Sequence, residues 1–405
     1  MNNQTGSLSI QVFMDSIVHP INNVTIEVRL KDEILYTLST DVSGKADTIT
    51  LEAPPIEDSL SESSTSQPYT EYQLVASKDN YNTVVINNVQ IYPMSHAIQN
   101  IYLKHTPKES VQVVTIKEPT LYGNYPSKIP EASVKPLPPG WGYIVLEEVV
   151  IPEYIIVHDG KPNDKAINYQ VNFKDYIKNV ACCEVYSTWP VETIKANVYA
   201  IISFTLNRVY TEWYHTKGYD FTITSATSHD QAYSHDRTFY EEISTIVDEI
   251  FTSYITKPDI RQPLFTQYCD GKKVSCPGWM QQWKSKDLGM QGKSAIEILK
   301  SFYGPEIYLE EANKVEGIPI SFNNVHLELG STGNDVAIIQ EQLNVISNDF
   351  PLIPKVKVDS IYDEQTKNSI EVFQEVFNIP VTGIVDKRTW YKLSELYVAV
   401  SKMIR

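Results

Sequence analysis

Apolar and polar residues alternate in short runs over the first quarter of the chain. Because successive side chains of a strand point to opposite faces of a sheet, this alternation predicts half-buried β-strands. About seven such strands, separated by turn residues, are typical of a sandwich, so we expect residues 1–105 to form an N-terminal all-β sandwich. Within it we expect the polar stretch at 57–68 to be a mobile loop. The runs cover residues 8–13, 24–30, 34–39, 48–51, 72–77, 84–91 and 98–103.

Proline is frequent over residues 106–150, where neither the strand period nor the helix period is present. Proline fixes φ and removes a hydrogen-bond donor, so this composition predicts an extended connector. Exposed connectors are preferred sites of proteolysis.

Helical periodicity replaces the alternation in the middle of the chain. Residues 173–185 fit a short helix. Pro190 suits the first turn of a second, longer helix, with Ser187 or Thr188 as its cap. The buried face of that second helix is predicted from its spacing to carry Ile194, Val198, Ile201, Thr205 and Val209.

Three further helical faces follow in the last part of the chain. Asp335 stands where an N-cap or first-turn acid suits the helix dipole. The pattern predicts a three-helix domain over residues 323–405. The inward positions are Val336, Ile339, Gln340 and Leu343, then Thr366, Ile370 and Phe373, then Thr389, Trp390 and Leu393.

Length and charge narrow the class of protein. A chain of 405 residues is long for one core and predicts two or three domains. Its formal net charge of -16 argues against nucleic acid as a partner, because a phosphate backbone would be repelled. No apolar run is long enough to span a membrane, and the N-terminus shows no standard signal peptide.

The four cysteines, Cys182, Cys183, Cys269 and Cys276, are too few for a disulfide framework. We expect free, mostly buried thiols. Cys269 and Cys276 could alternatively close a small loop in an oxidising compartment.

Glu184 stands out among the acidic residues of the middle region. Glu192 has a structural explanation, because an acid in the first turn of a helix meets the positive end of the dipole. Glu184 lies at the other end of the preceding helix, beside Val185 and Tyr186, where a negative charge is mildly unfavourable. Apolar and aromatic surroundings would raise the pKa of a carboxyl group, as a general acid requires.

Two stretches outside the middle region resemble known domain families. T-D-V-S-G-K-A at 40–46 resembles the strand-turn signature of transthyretin-like sandwiches. The pattern G-S-T-G-N-D-V, D-S-I-Y-D-E-Q-T and T-G-I-V-D-K-R-T-W within 323–405 resembles peptidoglycan-binding domain 1, with Ser360 where that family usually has glycine. The second resemblance implies a three-helix peptidoglycan-binding domain.

The middle region resembles lytic transglycosylases of the SpoIID type. V-A-C-C-E-V-Y-S-T-W-P-V-E matches the catalytic segment of that family, with Glu184 at the position of the catalytic glutamate. Three later segments, at residues 224–233, 263–271 and 279–304, follow in the family's order. The resemblance implies a mixed α/β catalytic domain over residues 151–322, within a multidomain α+β chain.

Several polar residues of these segments are expected to contact substrate, and no cofactor is expected. In some relatives a cysteine beside the histidine holds zinc; here that cysteine is replaced by Asp230, so we expect no metal site. The expected contacts are Tyr268, Gln267, Gln282, His229, Gln231 and Tyr233.

The order of the domains resembles the spore cortex-lytic enzymes of the SleC type. The resemblance implies a zymogen whose N-terminal region is removed by a subtilisin-like protease that cuts within 106–150. It implies peptidoglycan of the spore cortex as substrate, in the cortex or coat region of the spore during germination. The implied reaction is cleavage of the MurNAc–GlcNAc bond to a 1,6-anhydro-muramic product, with Glu184 as acid and then base.

Two other functions remain open at this point. A zinc-dependent cell-wall peptidase would use His, Asp and His as ligands with a nearby glutamate as base, for which His229, Asp236, His215 and Glu212 are candidates. A non-catalytic peptidoglycan-binding scaffold would keep the fold without the reaction.

Overall fold

The computed structural model describes residues 4–14, 19–136, 148–312 and 314–403, and it is a mixed α+β structure. All seven predicted N-terminal strands are confirmed. An additional strand lies inside the proline-rich segment, where its V-Q-V-V-T sequence alternates in exposure. The strands are β1 (Gln4–Met14), β2 (Thr25–Leu30), β3 (Glu33–Ser39), β4 (Ile49–Ala53), β5 (Thr70–Ser77), β6 (Thr83–Ile91), β7 (His96–Leu103) and β8 (Val111–Thr115).

These strands form two sheets around an apolar core. One sheet has the order β3-β2-β5-β6-β8, and the other contains β7-β1-β4, with β7 parallel to β1. The inward positions Leu8, Ile10 and Val12 are fully buried. The expectation of a mobile loop at 57–68 is wrong for its first turn, where helix α1 (Glu57–Leu60) forms and Ser59 is buried.

The central region surrounds a long buried helix. Helix α2 (Phe173–Glu184) leads into α3 (Val191–Tyr210), whose side chains are buried on nearly every side. The predicted cap is wrong: Pro190 is the N-cap residue of α3, without a side-chain cap, and the hydroxyl groups of Ser187 and Thr188 instead contact Ser95 and Ser59 in the sandwich.

Short strands and three shorter helices complete this region. β13 pairs with β7, so the sheet order becomes β13-β7-β1-β4 and continues from the sandwich into the central region. The elements are β9 (Val150–Ile151), β10 (Tyr154–His158), β11 (Asn168–Asn172), β12 (Ile223–Thr224), β13 (Phe239–Tyr240), α4 (Glu241–Ile250), β14 (Ser253–Thr256), β15 (Tyr268–Cys269), β16 (Met280–Gln281), α5 (Gln282–Met290), α6 (Ala295–Tyr303), β17 (Tyr308–Glu311) and β18 (Lys314–Val315), with a 3-10 turn at His215–Lys217.

The C-terminal region contains the predicted helices α7 (Asn334–Ile346), α8 (Glu364–Val376) and α9 (Lys387–Met403). Asp335 lies in the first turn of α7, as expected, and the predicted inward residues are buried. Ser360, in the turn before α8, has a φ of 65°. In the described part of the chain, none of the helices has the length and apolarity needed to cross a membrane.

Candidate active site

Glu184 is the last residue of α2, and its side chain is almost completely buried. The helix begins after Asn172, whose side chain accepts hydrogen bonds from the N–H groups of Lys174 and Asp175. It ends because Val185 adopts an extended conformation. Glu184 is therefore fixed between the end of α2 and the start of α3, with 2% of its surface exposed.

Four donors surround the carboxylate of Glu184. Thr120 Oγ1 donates to Oε2 at 2.7 Å, and Gln282 Nε2 donates to the same oxygen at 3.2 Å. The N–H of Ala232 donates to Oε1 at 3.1 Å, and the hydroxyl of Tyr268 lies 3.4 Å from that oxygen. Burial is as expected, but the expectation of apolar surroundings is wrong for these two oxygens.

A cavity of about 40 Å³ adjoins Glu184. Ligand pockets of proteins usually begin near about 300 Å³, so this cavity has no room for a sugar chain. Its walls come from the proline-rich segment, the end of α2 with the start of α5, the loop between β15 and β16, and Thr227 in the segment between β12 and β13. The lining includes Thr120, Tyr125, Lys128, Asp270, Lys273 and Gln282.

The space over Glu184 is filled by residues 117–136, here called the strap. Its Thr120 N–H donates to the carbonyl of Cys183 at 2.8 Å. Lys273 Nζ donates to the carbonyl oxygen atoms of Tyr122 and Gly123. Farther along, the N–H of Ile129 donates to the carbonyl of Ser228 at 2.7 Å. The strap thus follows the surface of the central region past the candidate acid.

Lys128 of the strap is buried beside Glu184. Its Nζ donates to the carbonyl oxygens of Asp230 and Thr227 and lies 5.0 Å from the ring centre of Tyr268. Burial lowers the pKa of Lys128, while the nearby carboxylates of Glu184 and Asp230 oppose that change.

The structure brings two of the six expected substrate contacts, Tyr268 and Gln282, to Glu184. Gln282 also donates to the main-chain carbonyl of Glu184 at 2.9 Å. Gln267 contacts the strap instead, with its side chain bonded to the main chain at Ile129 and Glu131.

The other three expected contacts lie elsewhere. Gln231 is fully buried behind the site, where its side chain contacts Tyr176 and Thr205. Tyr233 is buried, and its hydroxyl lies 2.9 Å from His235 Nδ1. His229 is half-buried, with its ring against the hydroxyl of Ser228.

One of the two pairs of cysteines is bonded, contrary to expectation. Cys269 and Cys276 form a disulfide that closes the loop beside the cavity, so the prediction of free thiols is wrong for them. Cys182 and Cys183 are free and buried, as expected. Burial raises the pKa of the Cys182 thiol to about 12, so it is not a reactive thiolate near neutral pH.

The residues of the zinc-peptidase alternative do not form a metal site. Across 4–14, 19–136, 148–312 and 314–403, no three His, Cys, Asp or Glu side chains stand close enough to hold a metal ion. His215 is exposed in the 3-10 turn. This alternative therefore has no donor set among the described residues.

Comparisons with known proteins match two parts of the chain. Residues 163–255 match the family described as "Stage II sporulation protein" (SpoIID), and residues 332–393 match the family described as "Putative peptidoglycan binding domain". No curated protein matches the chain. A solved structure, "The crystal structure of SleB N-terminal domain", is 27% identical over 19% of this chain and 99% of its own, with a TM-score of 0.17; so low a score carries no argument.

The two matched regions belong to two families that are both connected with the bacterial cell wall. The SpoIID family consists of lytic-transglycosylase-like cell-wall enzymes, and its match includes α2 and Glu184. The second match covers α7, α8 and the first part of α9 and indicates peptidoglycan as substrate. The chain therefore has the architecture of a cell-wall lytic enzyme.

Proposed function

We propose that this protein is a peptidoglycan lytic transglycosylase with Glu184 as its catalytic acid and base. The observation that carries the proposal is the position of Glu184: a buried carboxyl group at a helix end, held by donors on both oxygens and adjoining a cavity beneath the strap. Gln282 and the N–H of Ala232 would position it for reaction.

A single carboxyl group is sufficient for this reaction. Glu184 in its protonated form gives its proton to the oxygen of the MurNAc–GlcNAc bond, which breaks at C1 of the muramic sugar. The resulting carboxylate takes the proton of the C6 hydroxyl, and that oxygen bonds to C1 to give the 1,6-anhydro product. Hydrolytic glycosidases need a second carboxylate to activate water or to act as nucleophile.

Asp270, the other carboxylate in the lining of the cavity, is already held by main-chain N–H groups, which supports a reaction with a single catalytic carboxyl group. Asp270 accepts hydrogen bonds from the N–H groups of Lys272, Lys273 and Val274. Those bonds shape the disulfide-closed loop, so Asp270 has a structural task.

We further propose that the described form is a zymogen of the SleC type. The strap covers Glu184, and Thr120 bonds directly to its carboxylate. A subtilisin-like protease that cuts within 106–150 would free one end of the strap and open the cleft. The sporulation family match agrees with action on cortex peptidoglycan during spore germination.

The test compares two glutamine variants in the full chain, each cut once in the connector through an inserted protease site. Glu184→Gln should lower the release of anhydro-muramic products from cortex peptidoglycan by at least about 100-fold, because general acid–base catalysis supplies about that much. Glu192→Gln, eight residues on in the first turn of α3, should digest like the parent.

Mass spectrometry of the soluble products is the readout. The proposed mechanism is wrong if Glu184→Gln digests as well as the parent, or if the products are reducing muramic ends without the anhydro bond. If the cut parent binds cortex and never releases fragments, the protein is a binding scaffold.

A further inference from the structure

Arg208, near the end of α3, has a guanidinium group with no exposed surface. Its Nε donates to Asp230 Oδ1 at 2.7 Å. Its Nη2 and Nη1 donate to the two carboxylate oxygens of Glu131 at 2.7 and 3.1 Å. A buried guanidinium needs such partners, because an unpaired buried charge is strongly unfavourable. Nη2 also donates to the main-chain carbonyl of His229 at 3.1 Å. Asp230 and His229 belong to the central region, whereas Glu131 belongs to the strap.

Aromatic rings hold the guanidinium plane in place. The central carbon of the group lies 4.2 Å from the ring centre of Phe265 and 4.8 Å from that of Trp213. A guanidinium fixed between rings loses little further freedom when it binds a carboxylate through two parallel bonds. The site is therefore organised for a carboxylate independently of the strap.

Asp230 cannot replace Glu131 as the partner of the Nη groups of Arg208. Its Oδ2 accepts hydrogen bonds from Tyr214 and from the N–H and hydroxyl of Thr224, and its Oδ1 accepts from Arg208 Nε. When the strap leaves, the donors of Arg208 that now bind Glu131 would be open on Nη1 and Nη2, while Nη2 would keep its hydrogen bond to the main-chain carbonyl of His229. Lys217, whose Nζ lies 3.3 Å from the ring centre of Trp213, adds positive charge nearby.

The Glu131 position is close to the candidate catalytic residue along the strap. Lys128 lines the cavity at Glu184, and Glu131 follows three residues later. Three residues of extended chain cover at most about 10 Å. A carboxylate bound at Arg208 could thus belong to the same polymer whose glycosidic bond lies at Glu184.

We propose that Arg208 is a carboxylate-binding subsite of the substrate cleft and that Glu131 occupies it as an internal stand-in for a carboxylate of peptidoglycan. This inference rests on the proposed function, since it assigns a part of the same cleft. The carboxylate has two possible sources: the lactyl group of a muramic sugar without a peptide, or the stem peptide of a substituted one.

The test uses the Glu131→Ala variant of the full chain, cut once in the connector so that the strap, which no longer places a carboxylate on Arg208, can leave the cleft. Thermal midpoints are measured with N-acetylmuramic acid, N-acetylmuramyl dipeptide, N-acetylglucosamine or acetate. We expect one of the muramyl compounds at saturation to raise the midpoint of Glu131→Ala by about 2 °C or more. A shift with the free sugar acid indicates the lactyl source, and a shift with the dipeptide alone indicates the stem peptide.

Glu131→Gln, cut in the same way, is the matched control, because its neutral side chain can still accept a hydrogen bond from Arg208 and fill the space there, so the shift should be smaller. The proposal is overturned if no muramyl compound shifts Glu131→Ala more than Glu131→Gln. It is also overturned if N-acetylglucosamine or acetate shifts the midpoint equally. Should Glu131→Ala fail to fold, Glu131→Ser opens a similar space.

The outcome is separable from that of the catalytic test. Thermal midpoints do not depend on turnover, so a muramyl shift without any glycan cleavage would contradict only the proposed reaction. Cleavage through Glu184 without a muramyl shift would contradict only the role of Arg208.

Discussion

Glu131 is held between two cations, Arg208 and Lys135, whose Nζ lies 2.6 Å from its Oε2. Burial alone would raise the pKa of Glu131, but the hydrogen bonds and charge of Arg208 and Lys135 outweigh it and place the pKa below its ordinary value of 4.5. Burial lowers the pKa of Lys135 to about 8, so Lys135 is still charged at neutral pH. The strap is therefore held partly by ionised groups.

Acidification should loosen the strap. Because the pKa of Glu131 is lower in the folded state, its contribution to stability is present above pH 4.5 and is lost as the pH falls through the lower folded value. We expect hydrogen exchange of residues 117–136, corrected for its intrinsic pH dependence, to show protection falling below that pH. In Glu131→Gln the protection should be weaker at neutral pH and should change less on acidification. Equal pH dependence in both proteins would contradict this prediction.

The sequence identifies Glu184 more easily than its partners. Its place at a helix end is readable from periodicity, and the motif around it gives the same residue. Thr120 and the N–H of Ala232 come from positions 64 and 48 residues away. Neither carries a local signal, since any threonine or main-chain amide could serve. The disulfide of Cys269 and Cys276 likewise depends on how the loop folds back.

At the scale of elements, the hydrophobic pattern of the sequence predicts the regular strands and helices but does not predict the strap. Helices α7 to α9 and the N-terminal strands other than the exposed β3 bury apolar side chains on one face, so their hydrophobic spacing shows in the sequence. The strap has no periodic face, because it is held by main-chain groups and by single side chains such as Thr120 and Lys128. Its proline content predicts extended chain, but the composition contains no information about the surface it contacts.

Replacing Ser360 should stabilise the C-terminal helices. Its φ of 65° is in the left-handed region, which glycine adopts without the steric cost of a Cβ atom. We expect Ser360→Gly to raise the free energy of unfolding of this region by about 0.5–1 kcal/mol. Slower hydrogen exchange of α7 and α8 amides is the measurement.

Ser347→Gly provides the comparison in the same region. Ser347 has a φ of -62°, so it has no backbone strain that glycine could relieve. Glycine there should lower stability, because it raises the conformational entropy of the unfolded chain. If Ser360→Gly destabilises these helices as Ser347→Gly does, the conformational explanation is wrong.

At the scale of the whole molecule, several hydrogen bonds join the sandwich to the central region. Trp189 Nε1 donates to the carbonyl of Ser59 at 2.9 Å, and Thr238 Oγ1 donates to Gln99 at 2.6 Å. Arg237 and Tyr240 both contact Gln90. The predicted domain limits remain predictions, but the N-terminal and central parts share a buried, hydrogen-bonded boundary.

The sandwich should therefore remain bound after the connector is cut. We expect a full-length chain cut once within 137–147 to elute as one species in size-exclusion chromatography, and to separate into two fragments only in denaturant. Elution of the sandwich as a separate species under native conditions would contradict this expectation. Retention of both fragments would mean that opening of the cleft needs movement of the strap rather than departure of the N-terminal region.

The pairing of β13 with β7 has a consequence for how this chain can be divided. Without residues 239 and 240, β7 would lose the partners of Ile98 and Ala97 and become the open edge of its sheet. Open edges offer unpaired main-chain groups to other chains and promote aggregation. The sandwich is thus a poor unit for recombination: a genetic exchange that moved it alone into another protein would also transfer an unprotected edge.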